Sequence, residues 1–176
     1  MTSLRCSGRP VDRFLRVDNG VTAVEIVELG PDDWTVFRDL RLRALVDAPE
    51  AFGSTLADWA EASEERWRDR LETVALNVVA RADGHYVGMS SGLVDGDDAE
   101  LISMWVDPAF RGHGVAARLI AAVVDWASAA GRTTYLMVRS DNPRAIAAYE
   151  RAGFVDLGIP EDQTGPPENR MVHRSP

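Results

Sequence analysis

The sequence contains no lysine: all 19 of its basic residues are arginine. Chemistry that depends on a lysine, such as the phosphate-loop lysine of nucleotide hydrolysis or a Schiff base, is therefore excluded. One cysteine, Cys6, is present, so neither an internal disulfide nor a thiolate metal cluster can form, and a reducing compartment is expected. The three histidines, His85, His113 and His173, are isolated, and Asp95-Gly96-Asp97-Asp98 lacks the ligand spacing of a calcium loop. No metal is expected. No apolar run approaches the roughly 18 residues of a membrane span. The first twenty residues carry Arg5, Arg9, Arg13 and Arg16 without an apolar run of seven, unlike a secretory signal, and a cytoplasmic protein with no membrane partner is expected. Basic charge is also in deficit. The formal net charge of -9 opposes non-specific binding to nucleic acid and favours cationic partners.

What remains is an ordinary globular composition, with 45% hydrophobic and 27% charged residues among 176, enough for one domain that buries roughly 70% of its unfolded surface. Residues 1–20 are polar and end in Asp18-Asn19-Gly20, a turn signal, and are expected to form a tail before a single domain over 21–176. Thr22 to Leu29 reads as a strand. Pro31-Asp32-Asp33 opens a helix with apolar positions Trp34, Phe37, Leu40 and Leu45, which Ala48-Pro49 ends. The spacing of Trp59, Ser63 and Trp67 predicts a second helix over Asp58 to Leu71.

From Thr73 the period changes. Val74 to Arg81, His85 to Val94 and Glu100 to Val106 are strand-like runs broken by Asp83-Gly84 and by Asp95 to Asp98, which predicts an antiparallel meander. Gly114 to Ala130 reads as a helix stopped by Gly131, Thr133 to Arg139 as a strand, and Asn142 to Ala152 as a helix. Short strands are expected from Phe154 and near Arg170 to His173, with a Pro/Gly-rich loop from Gly158 to Pro167 between them. This order predicts an α/β domain with a mixed, twisted sheet of six or seven strands and about four helices.

The segment Met104-Trp105-Val106-Asp107-Pro108-Ala109-Phe110-Arg111-Gly112-His113-Gly114-Val115-Ala116 runs from a strand through a Pro turn and a glycine loop into a helix. Unpaired N–H groups at a helix N-terminus attract anions, and glycines let a diphosphate approach the backbone, so the segment predicts a phosphate site. Two rival motifs are weighed against this reading. Gly112 to Ala117 also fits a dinucleotide-binding pattern, but Asp107 to Arg111 separate it from the strand and three strand-like runs precede it. Gly88-Met89-Ser90-Ser91-Gly92 fits the hydrolase nucleophile elbow, but no helix follows.

Arg111-Gly112-His113-Gly114-Val115-Ala116 resembles the Arg/Gln-x-x-Gly-x-Gly/Ala signature of the GNAT superfamily of N-acetyltransferases, with Ala116 in place of the commoner glycine. Asn142-Pro143-Arg144-Ala145 through Tyr149 to Gly153-Phe154 resembles its second motif. The resemblance is close over Leu101 to Phe154. It implies a sheet that splays near Met104, Trp105 and Val106, whose backbone binds the pantetheine arm of acetyl-CoA, with the amides of Gly112, His113, Gly114, Val115 and Ala116 and the charge of Arg111 at the diphosphate. It implies Asn142 near the pantetheine or acetyl end, Glu100 as the general base, and Tyr149 as the acid that protonates the departing thiolate. The acceptor site is then expected in Pro49 to Ala57 and Gly158 to Pro167, with Phe52 and Trp59 as candidate lining residues.

The resemblance implies direct acetyl transfer to a primary amine, with a small cationic metabolite or antibiotic expected as acceptor. A protein N-terminus or lysine is the alternative acceptor, and a non-catalytic acetyl-CoA-binding module the alternative role. Arg139 or Arg170 would suit a succinyl donor, and a homodimer is a possible assembly.

Overall fold

The computed structural model describes residues 23–173. The expected tail over 1–20, and the start of the first strand at Thr22, lie outside them. Seven strands form one sheet in the order β1-β2-β3-β4-β5-β7-β6. β1 (Glu25–Glu28), β2 (Leu76–Ala82), β3 (His85–Asp95) and β4 (Asp98–Val106) are successive antiparallel neighbours. β5 (Thr133–Arg139) joins β4 in parallel, and β7 (Glu168–His173) lies antiparallel between β5 and β6 (Phe154–Asp156).

Both faces of the sheet are covered, which is why β2 is buried at nearly every position rather than at alternate ones. On one face α4 (Val115–Ala129) and α5 (Pro143–Arg151) pack over Val78, Leu101, Val106, Leu136, Phe154 and Met171 of the sheet, with Leu119, Val123 and Tyr149 contributed by the helices. On the other, α1 (Trp34–Asp47) and α3 (Glu64–Thr73) set Phe37, Leu40 and Trp67 against Val79, Met89 and Trp105. The glycines of the elbow-like sequence serve this packing. A Cβ at Gly92 would lie 2.6 Å from the Trp126 ring, and one at Gly88 would lie 2.9 Å from the Trp105 carbonyl and 3.0 Å from Leu119.

Two details depart from the sequence reading. The single helix expected over Asp58 to Leu71 is two: α2 (Leu56–Ala60), capped by Thr55, and α3, capped by Ser63, whose hydroxyl accepts the Arg66 N–H. A serine in a regular apolar spacing is here an N-cap, because its oxygen satisfies an orphan amide better than a helical interior would allow. The five α-helices exceed the expected four for this reason. The second departure is in β4, where Met89 pairs with Trp105 but Ser91 pairs with Ile102. β4 thus holds one extra residue, and Ser103 takes a positive φ of 57°, a β-bulge that turns its side chain.

Candidate active site

β4 and β5 are paired only over Asp98–Thr133, Ala99–Thr134 and Glu100–Tyr135. Beyond Glu100 the two strands separate, β4 continuing to Val106 and β5 to Arg139, so a wedge opens whose β4 side carries backbone groups without a strand partner. Glu100 stands at its apex. The expected splay at Met104 to Val106 is therefore present and begins earlier, at Leu101.

The wedge leads to the N-terminus of α4. Gly112 and Gly114 adopt φ of 85° and 77°, values that disfavour any residue with a Cβ, and added Cβ atoms there would meet nothing within 4 Å. Gly114 caps α4 without a side chain, and no acidic residue occupies the first turn. The leading amides are thus unanswered by the protein, which is the electrostatic condition for an anion. Val115 is buried in the α4 core, Ala116 packs against it, and His113 is exposed with its ring nitrogen 3.1 Å from the Arg111 carbonyl.

Arg111 itself turns the other way. Its guanidinium pairs closely with Asp47 at the end of α1, and its Nε donates to the Val106 carbonyl at 2.9 Å. Asp47 also accepts from the Trp105 indole at 2.8 Å, and Arg43 pairs closely with Asp107. Two ion pairs hold the loop against α1. The side chain of Arg111 thereby braces the loop against α1.

On the α5 side of the wedge, Asn142 caps the helix, its carboxamide oxygen accepting the Ala145 N–H at 3.1 Å. Tyr149 is buried, its ring edge-on to Phe154 with centroids 5.8 Å apart. Burial pushes its phenol well above the ordinary value, so it remains protonated at neutral pH.

Strand alternation separates the chemistry across the sheet. Leu101, Met104 and Val106 face α4, whereas Glu100 falls on the opposite face with Trp105 and the bulged Ser103. Glu100 is half-buried, and its carboxyl is raised first by burial, then by Asp95 and Glu168, with Arg170 opposing. The Tyr135 hydroxyl donates to Asp95 at 2.8 Å, and the Arg170 guanidinium lies 4.2 Å from the Tyr135 ring centroid and 3.7 Å from Asp98. These neighbours come from β3, β5 and β7, so no contiguous motif announces them. Arg139 is paired with Asp141. Glu100 combines a raised carboxyl with a place at the point where β4–β5 pairing ends.

The same face contains a second group that the sequence reading missed. Arg41 of α1 donates to Ser54 at 2.9 Å and reaches Ser103 at 3.4 Å, with its guanidinium 4.4 Å over the ring of Phe52. Arg70 of α3 donates to Asn77 at 3.1 Å and reaches the same Ser103 hydroxyl at 3.3 Å. Trp59 stacks on Trp67 at 4.5 Å and donates its indole N–H to Ser54 at 3.1 Å. Phe52 and Trp59 are both half-buried beside this group. Two cavities of about 410 and 430 Å³ lie elsewhere, around Asp39, Arg43 and Asp107, and include neither Glu100 nor Tyr149.

A splayed β4–β5 pair, a glycine loop at an uncapped helix N-terminus, and a strand order of this kind define an acyl-CoA-binding transferase architecture. The chain belongs to the acetyltransferase (GNAT) family, whose pattern it matches over residues 37–154. It is 33% identical over 129 residues to the mycothiol acetyltransferase of Clavibacter sepedonicus, an alignment that takes in 73% of this chain and 40% of that protein. The chain thus spans about two fifths of that relative's length. Its fold is similar to a GNAT-family acetyltransferase from Streptococcus pneumoniae, with TM-score 0.71 and 19% identity over 85% of this chain and 98% of that one. It is also similar to the PaiA N-acetyltransferase of Thermoplasma acidophilum, solved in complex with coenzyme A, with TM-score 0.68 and 18% identity over 87% and 99%. Among the described residues no helix is long and apolar enough to cross a membrane.

Proposed function

We propose that this chain transfers an acetyl group from acetyl-CoA to the primary amine of a small molecule in the cytoplasm. The observation that carries the reading is the wedge: strand pairing stops at Glu100, and the opening runs from that carboxylate to the unanswered amides of α4. The residues present fit the donor. The β4 edge over Met104, Trp105 and Val106 offers backbone partners to an amide-bearing arm in the manner of an added strand, and the amides of Gly112 to Ala116 offer donors to a diphosphate. Acetyl-CoA supplies an acyl group already activated as a thioester.

The acceptor meets Glu100 from the face opposite Tyr149. An alkylammonium has a pKa near 10 and must lose a proton before its nitrogen can form the new C–N bond. Glu100, with its raised carboxyl, takes that proton directly or through water. The C–S bond breaks as the C–N bond forms, and Tyr149 supports departure of the sulfur by donating its phenolic proton. In this reading the backbone N–H near Val106 polarises the acyl carbonyl.

Release of CoA thiol from acetyl-CoA over an amine panel tests the reading, with Glu100→Gln and Tyr149→Phe in parallel. The expected result is amine-dependent release that falls about a hundredfold or more in each variant, the range typical of losing a positioned acid or base. Acetyl-CoA binding without turnover on any amine would leave a binding module instead.

A further inference from the structure

Arg41 and Arg70 are the two half-buried arginines of the acceptor face that the protein does not neutralise. Every ion pair among the described residues leaves them out, and their hydrogen-bond partners, Ser54, Ser103 and Asn77, are all neutral. Both guanidiniums are largely withdrawn from water. Burial lowers each to about 10, and for Arg41 the neighbouring Arg70 adds to the effect. Two like charges held together out of water are costly unless an anion joins them.

Their geometry is that of a prepared site. Arg41 is steadied by Ser54 and by the face of Phe52, and Arg70 by Asn77 and by the ring of Phe37 at 5.2 Å. Each keeps guanidinium donors in reserve, since the group has five N–H bonds in a fixed fork. Both converge on one oxygen, that of Ser103, at 3.3 and 3.4 Å, beyond the usual N–H···O range of roughly 2.7–3.2 Å. A single hydroxyl at that range cannot balance two cations. The β4 bulge is what presents Ser103 to both helices. Ser103 follows Glu100 by three positions on the same face, about 10 Å at the usual strand rise.

We propose that Arg41, Arg70 and Ser103 form an oxyanion subsite of the acceptor cleft, so that the amine acetylated by this protein belongs to a molecule that also carries a carboxylate or phosphate. This rests on the reading of the chain as an amine acetyltransferase with Glu100 at the reacting end. The acceptor then enters as a zwitterion: its ammonium meets the acidic group around Glu100, and its anion meets the arginine pair. The net negative surface draws the ammonium end in, and the arginines select among the amines that arrive.

The test measures thiol release for matched acceptors of equal chain length: ω-amino acids of two to six carbons, the corresponding aminoalkyl phosphates, and the plain alkylamines. The expected result is a kcat/KM at least about tenfold higher for one anionic series over the alkylamines, as a charge-assisted hydrogen bond allows. The better series identifies the oxyanion. In Arg41→Gln and Arg70→Gln that ratio falls toward one through KM, with the KM for acetyl-CoA held. Independently of turnover, sulfate at constant ionic strength should raise the melting temperature of the intact protein relative to chloride, and either variant should shrink that difference. Turnover with equal use of anionic and plain amines, or a preference that survives both variants, overturns the subsite and leaves the transferase standing. No turnover with any amine, together with a sulfate shift that both variants abolish, overturns the transferase and retains the anion site.

Discussion

On the proposed reading, the two sides of the wedge recognise their ligands by different means. On the α4 side, the groups offered to the donor are backbone amides and a strand edge, supplied by one stretch from Met104 to Ala116. On the α1 and α3 side, the groups offered to the acceptor are side chains from Arg41, Phe52, Trp59, Arg70, Glu100 and Ser103, spread over four elements and a loop. A backbone site needs particular φ values and the absence of side chains, so it tolerates little change. A side-chain site can be re-specified by substitution while the sheet beneath it stays the same.

Substitutions should separate the two sides. Among substitutions outside the proposed acid and base, the largest effect is expected for Gly114→Val, which forces a β-branched residue into a φ of 77°. Such strain costs about 1–3 kcal/mol, and it should raise the KM for acetyl-CoA about tenfold or more while leaving acceptor preference intact, as read from steady-state kinetics in both substrates. Gly92→Ala should act on neither substrate but on the scaffold, because its Cβ would lie 2.6 Å from Trp126. Overpacking of this kind costs about 1–3 kcal/mol, visible as a lowered denaturation midpoint. Asn142→Ala should cost about 1 kcal/mol through the lost cap, and a loss of stability without a change in the KM for acetyl-CoA would assign Asn142 to the helix rather than to the donor.

The same contrast explains what could be read before the structure was known. The meander and α4 were legible because they depend on alternation, on turn glycines and on residues close in sequence. The wedge was expected only from the resemblance of two motifs to the GNAT family, and the roles given to Glu100 and Tyr149 rest on that resemblance. The Arg41–Ser103–Arg70 group was not legible, since its members are separated by 29 or more positions and Ser103 faces α1 and α3 only because of a one-residue bulge that no composition marks. Arg111 shows the converse. Its place in the motif suggested charge for the diphosphate, and nothing near it in sequence announced its pairing with Asp47, 64 residues earlier, which braces the loop against α1. Ser63 likewise sat in a helical spacing but ends one helix-forming stretch and caps the next.

The smallest expected effect is on stability at the apex, and it has a definite sign. Glu100 has its carboxyl raised in the folded protein by burial and by Asp95 and Glu168, so the folded chain binds its proton more tightly than the unfolded chain. Stability from this group is therefore greatest at low pH and declines as pH rises from the ordinary carboxylate range through the raised folded value. Above that value the ionised carboxylate is a standing cost. Glu100→Gln removes the charge with little change of shape, so it should raise the melting temperature slightly at pH 7 and leave it nearly unchanged at pH 4, while abolishing most turnover. The acid limb of kcat/KM in the unmodified protein should lie above the ordinary carboxylate range for the same reason. A site that gains stability by losing its base would mark Glu100 as a group held for chemistry at the expense of the fold. Equal melting temperatures for the two proteins at every pH would mean that the wedge already hydrates Glu100, and that its proton affinity is set by the bound substrates instead.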